Sequence, residues 1–247
     1  MNAVTLRAHV ESVLAKRCPA PFAPLRPKLN EKIPTGIAEL DRLTAGGIPQ
    51  AELSEICGPA SSGRTSLLLA LMAEVTSRGE LCALVDVNDS LAPDSAAQAG
   101  VHLESLLWVR CGGKKAGGEL RRVEQGMKAV DLLLESGGFA LVIFDLADVS
   151  PEAARRIPLA SWFRFRKAVE HKSTAFVVIE NEPHARSCAA LVLALNKNGE
   201  QWAKLGGEEY SAGTLLREVS CSAAVARGKP VGNACSANFQ LASRWVV

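Results

Sequence analysis

The sequence lacks a Cys-x-x-Cys pair, a large charge of either sign and any apolar run of membrane-spanning length, and each absence removes a class of function. Seven cysteines, an odd number without metal-ligand spacing, read as buried thiols of a reducing compartment and not as a disulfide or zinc framework. A formal net charge of +2 is too small to imply nucleic-acid binding by bulk attraction, though it leaves room for a local basic patch. His102, His171 and His184 lack ligand spacing, so no metal centre is expected from them. His9 and Glu11 interrupt any early signal sequence, and the expectation is a bacterial cytoplasmic protein that does not enter a membrane. No internal repeat or long low-complexity segment is present. The glycine-rich stretch Cys111 to Gly118 reads as a surface loop.

What is there suits one substantial core: 247 residues, 48% of them hydrophobic. Residues 1–17 have the spacing of an amphipathic helix, a partner-binding arm or a helix packed on its own domain. Residues 18–32 contain four prolines and form an extended linker, and 33–247 form the core. Apolar runs at Leu53 to Cys57, Leu81 to Asp86, Leu141 to Asp145, Phe176 to Glu180 and Leu191 to Leu195 predict buried parallel strands. Helices are predicted near 66–77, 93–99, 119–136 and 160–171, giving an α/β fold with helices on both faces of the sheet. After Asn196 the pattern shifts to short runs separated by glycines, predicting C-terminal hairpins that extend the sheet.

Gly58-Pro59-Ala60-Ser61-Ser62-Gly63-Arg64-Thr65 has the spacing of a phosphate-binding loop, set between a predicted strand and a predicted helix. Its amides would point at an anion at the positive end of the helix, and the two glycines would allow a tight, close backbone. Gly58, Ser61, Ser62, Gly63, Arg64 and Thr65 are therefore the candidate nucleotide-binding residues, with Asp145 at the end of its apolar run as the carboxylate nearest a magnesium ion. Thr65 and Asp145 are the candidate metal ligands. Arg64 stands where a lysine belongs. A planar guanidinium attracts phosphate but fills more space than an ammonium, so a nucleotide loop and a loop kept for structure both stay open. Asp86, Asp89 and Asn88 end another strand near the same edge, and either carboxylate could orient an attacking water.

The segments Ile33 to Gly36, Leu40-Asp41, Gly46 to Pro49, Gly58 to Thr65 and Val85 to Pro93 resemble the RecA/Rad51 recombinase core in order and nearly in spacing. That resemblance implies a RecA-like P-loop fold with a largely parallel central sheet. It also places Asn88, Ala92, Ser95 and Asn181 where the family has its catalytic glutamate, two adenine-holding residues and a phosphate-sensing glutamine. More narrowly, Gly58 to Ser66, Leu106 to Cys111, Phe144 to Val149 and Arg156 to Arg166 resemble the ImuA family of translesion-synthesis accessory proteins. This likeness implies a scaffold in damage-induced mutagenesis and the SOS response, acting with ImuB, the error-prone polymerase DnaE2 and RecA. The leading expectation is a noncatalytic or weakly nucleotide-binding accessory protein with a degenerate loop, needing no cofactor. Its competitor is an ATPase, stimulated by DNA or a partner, that uses ATP and Mg2+.

Residues 155–172 hold six Lys or Arg against one acidic residue, Glu170. Helical spacing puts Trp162, Phe165 and Val169 on an apolar stripe and Arg164, Lys167 and His171 on a basic one. With Arg155, Arg156 and Lys172 these basic residues are the candidate partner or DNA surface.

Overall fold

The computed structural model of the chain describes residues 31–112, 118–204, 214–228 and 235–242. The helix expected at 1–17, nearly all of the proline-rich linker and the middle of the Cys111 to Gly118 loop lie outside them. The continuous apolar runs become the fully buried strands β3 (Leu53–Cys57), β4 (Cys82–Asp86) and β7 (Ala175–Glu180), and β6 (Leu141–Asp145) is buried up to its terminal carboxylate. A short β1 (Lys32–Ile33) pairs with β2 (Ile48–Pro49) beside the main sheet. The main sheet has eight strands. It adds β5 (Leu106–Arg110) at one edge and β8 (Leu191–Lys204), β9 (Thr214–Arg227) and β10 (Ser236–Ala242) at the other, in the order β10-β9-β8-β3-β7-β6-β4-β5.

From β8 to β5 every pairing is parallel, and β9 and β10 are antiparallel. This is the α/β class expected from sequence. One face is covered by α1 (Ala38–Leu43), α2 (Arg64–Ser77) and α3 (Pro93–Gln98), with Leu67, Leu71 and Val75 packed against Ile56, Leu84, Ile143 and Val177. The other face is covered by α4 (Glu119–Ser136), a short α5 (Pro151–Ala154) and α6 (Leu159–Val169). There Val130, Trp162 and Phe165 pack on Val85, Phe144 and Phe176. Phe165 meets Trp162 and Phe176 edge to face, with centroids 5.9 and 5.7 Å apart.

Two expectations change. The run at Leu191 to Leu195 is the start of a 14-residue strand, because its second half leaves the core and pairs only with β9, whose β-bulges absorb the register changes. The helix predicted to reach residue 171 stops at Val169, and His171 takes a left-handed conformation with φ 65°. The described cysteines are free thiols, buried except for Cys235. Among the described residues no helix is long and apolar enough to cross a membrane.

Candidate nucleotide site

The parallel order puts the carboxyl ends of β3, β7 and β6 side by side, with Cys57 in register with Glu180 and Ile179 with Asp145. The turns that follow these strands therefore converge, as expected for a ligand crevice in an α/β sheet. The first turn is the Gly58 to Thr65 loop. A Cβ on Gly58 would lie 2.4 Å from the Leu195 carbonyl oxygen and 2.6 Å from Ser62 Oγ, so only glycine fits. Gly63 sits at φ 93°, where an added Cβ would also strike Leu241 at 2.9 Å. The Ser62 amide donates to the Pro59 carbonyl at 3.2 Å, which curls the loop over the start of α2, whose first amides have no intrahelical acceptor.

Ser62 Oγ is buried without a hydrogen-bond partner among the described residues, while Thr65 is exposed on the first turn of α2. An unpartnered hydroxyl and free helical amides around a glycine cradle fit a phosphate. Arg64 turns inward and is only 6% exposed. Its Nη1 donates to Asn181 Oδ1 at 2.8 Å and to the Ala147 carbonyl at 3.3 Å. Burial lowers its pKa from the ordinary value, and the charges of Asp148 and Asp145 oppose that. Asn181 in turn donates to the Val149 carbonyl at 3.5 Å, so Arg64 ties together the turns after β3, β6 and β7.

Asp145 lies beside this guanidinium and accepts the Ala147 amide at 2.9 Å. Burial raises its pKa to about 6, helped by Asp86 and Asp148 and resisted by the Ala147 hydrogen bond and by Arg64. Gly58, Ser61, Ser62, Gly63, Arg64, Thr65 and Asp145 thus share one end of the sheet. The oxygens of Asp86 are occupied differently, accepting from the Ser90 and Leu91 amides at 3.0 and 2.9 Å and from Trp108 Nε1 at 3.2 Å. Asp89 is held in a two-pronged pair with Arg110 at 2.5 and 2.6 Å. Asp148, an exposed carboxylate in the same turn as Ala147, is the acidic neighbour that sequence reasoning did not single out.

Two of these turns, those after β3 and β6, fall within a match to known proteins: residues 26–156, more than half of the chain, match the RecA N-terminal domain. The chain belongs to that family. Its relatives include Protein RecA of Ectopseudomonas oleovorans, 39% identical over 123 residues that cover 49% of this chain and 33% of that protein. Protein RecA of Brucella anthropi is 38% identical over 125 residues (50% and 32%), and that of Colwellia psychrerythraea 37% over 125 (50% and 34%). The chain spans about a third of the length of these curated relatives, all of them bacterial.

The match corrects the narrower reading. The relatives are RecA proteins, and they support a RecA-family domain in place of an ImuA-type accessory factor. The expectations of a noncatalytic role and of a degenerate loop rested on the ImuA assignment and fall with it, because the matched relatives are RecA proteins. The geometry offers a physical reason. Arg64 keeps a buried positive charge inside the loop, and the Gly58 and Gly63 cradle is intact.

Of the expected stripe of Arg164, Lys167 and His171, only Arg164 and Lys167 lie on α6. Arg164 is bound to Asp131 of α4 through two hydrogen bonds of 2.7 Å, and Lys172 donates to the Leu134 carbonyl. Lys167 and His171 are exposed, the latter beyond the helix end. Arg155 and Arg156 instead line a cleft of about 460 Å³ together with Leu159, Trp162, His184 and Arg186. Arg155 pairs with Glu182 at 3.3 Å across its mouth. Arg186, on the turn after β7, lies 30 residues from Arg156 in sequence, a separation that hides the cluster from local patterning.

Proposed function

We propose that the chain is a RecA-type nucleotide-binding core that hydrolyses ATP with Mg2+, with turnover coupled to DNA or a partner at the Arg155, Arg156 and Arg186 cleft. The match of residues 26–156 to the RecA N-terminal domain carries this reading. In it, Ser62 Oγ and the loop amides other than that of Ser62, which donates to Pro59, hold the phosphates, and Arg64 neutralises their charge. Thr65 and Asp145 are the protein groups for magnesium, which would supply charge neutralisation and polarise the phosphoryl oxygens. Asp148 orients the attacking water, because Asp86 and Asp89 have their oxygens engaged elsewhere. Asn181, held by Arg64, relates the state of the loop to the turn that carries Arg186.

Magnesium-dependent ATP turnover by the full chain, measured with and without single-stranded DNA, tests this reading. Turnover that falls at least tenfold in Asp148→Asn is expected, and a folded protein that neither binds nor hydrolyses ATP would refute it. Replacing Arg156 and Arg186 by alanine should lower DNA affinity and its salt dependence by about two phosphate contacts. A pull-down with ImuB, DnaE2 and RecA tests that proposed partner set separately, and capture by none of the three rejects it.

A further inference from the structure

A second polar cluster lies inside the sheet, one strand face removed from the phosphate loop although the Glu180 carbonyl accepts the Gly58 amide at 3.2 Å. Leu53 and Cys57 of β3 and Phe176 and Val178 of β7 face the α4 and α6 side of the core, so alternation turns Glu55 and Glu180 to that same side. The two glutamates are 0% and 1% exposed. The chain leaving β7 folds back over them. Glu55 Oε1 accepts the His184 amide at 2.7 Å and the Ala185 amide at 2.5 Å. Glu180 Oε1 accepts the His184 amide at 3.3 Å, and its Oε2 lies 2.7 Å from His184 Nδ1.

One atom is left over. Glu55 Oε2 is buried with no hydrogen-bond partner among the described residues. As an ionised oxygen it would be desolvated beside a second carboxylate, whereas a proton on it makes a donor to Glu180. The surrounding charges do not replace that proton. Cys57 of β3 and Cys188 of the turn after β7 are buried thiols, Arg155 is paired with Glu182, and Arg166 of α6 pairs with Glu170. Arg227 of β9 donates to the Arg186 carbonyl, and Arg64 is held by Asn181. Burial raises the Glu55 pKa to about 8, reinforced by Glu180, and burial also raises that of Glu180. Burial keeps His184 below its ordinary range, and the neutral tautomer that carries its hydrogen on Nδ1 is the one that can donate to an ionised Glu180 oxygen.

We propose that Glu55, Glu180 and His184 form a proton-dependent clasp: a proton shared by the two carboxyls locks the Pro183 to Cys188 segment onto β3, and its loss frees that segment and the Arg186 side of the basic cleft. The clasp is independent of the nucleotide reading. Hydrogen exchange of the full chain, corrected for intrinsic rates, tests it. Because closing takes up a proton, protection of the His184 and Ala185 amides should fall about tenfold per pH unit between pH 6 and 8, while that of Ile143 in β6 stays level. Glu55→Gln retains an acceptor and gains a fixed donor, so its protection should not vary over that range. Glu180→Gln serves the same purpose if the first variant does not fold. Independently, a protonated-carboxyl infrared band that Glu55→Gln lacks should be present in the wild type at pH 6, persist at pH 7.5 where Asp145 is ionised, and be lost above pH 9. Protection that is level in the wild type, an unchanged slope in a folded variant, or no protonated carboxyl at pH 6 overturns the proposal.

Discussion

Asp145, half-buried, and Glu55, wholly buried, are carboxyls of the same sheet, and burial raises the proton affinity of both, yet their neighbours give them opposite uses. Asp145 closes its strand at the carboxyl end of the sheet, where the Ala147 amide and the Arg64 guanidinium hold its value to about 6. Glu55 lies in mid-strand against Glu180, and its value reaches about 8. A carboxylate beside a cation can stay charged at neutral pH and receive a metal. Beside another carboxyl it keeps a proton and serves as a structural donor. The partner, added to the fuller burial of Glu55, separates the two uses.

The largest expected effect comes from removing the space on which the phosphate end depends. Gly58→Ala places a methyl 2.4 Å from the Leu195 carbonyl, and should abolish ATP binding and lower unfolding free energy by about 1–3 kcal/mol in denaturant titration. Next is the cation itself. Arg64→Ala strips Asn181 and Ala147 of their donor, so ATP affinity should drop at least tenfold, with Arg64→Lys falling less. The same variant should raise the Asp145 pKa above about 6, read by carboxyl NMR, because Arg64 holds it down.

The clasp predicts a pH effect of intermediate size. Glu55 rises from an ordinary 4.5 to about 8 on folding, so its contribution to stability is complete below about 4.5 and disappears as pH climbs through 8. The urea midpoint of the wild type should therefore fall between pH 6 and 8.5, and that of Glu55→Gln should fall less. The smallest effect is expected at Arg164. Its pair with Asp131 is half exposed, and alanine should cost less than about 1 kcal/mol.

Much of the fold could be read directly. The continuous apolar runs and the strand, loop and helix order around Gly58 identify five of the parallel strands, β8 only at its start, and the candidate site, because those signals are local. The cluster at Glu55 could not be read this way, since its partners Glu180, His184 and Ala185 come from a strand and turn more than 120 residues later. A glutamate inside the buried run Leu53 to Cys57 was nonetheless a usable clue, because a buried carboxyl needs a proton or partners. Strand β5 escaped notice because Leu106 to Val109 are only half buried, which blurs the apolar run. The basic stripe failed for another reason: helical spacing ignores Asp131 on the adjacent helix and the left-handed turn at His171.

The most direct test of the central claim is equilibrium binding of a fluorescent ATP analogue to the full chain, with and without Mg2+, in the wild type, Arg64→Ala and Asp145→Asn. The account predicts saturable wild-type binding that ATP displaces, weakened by the first substitution, and magnesium dependence lost in the second. Absence of saturable binding by a folded wild-type chain, or binding indifferent to both substitutions, would contradict it.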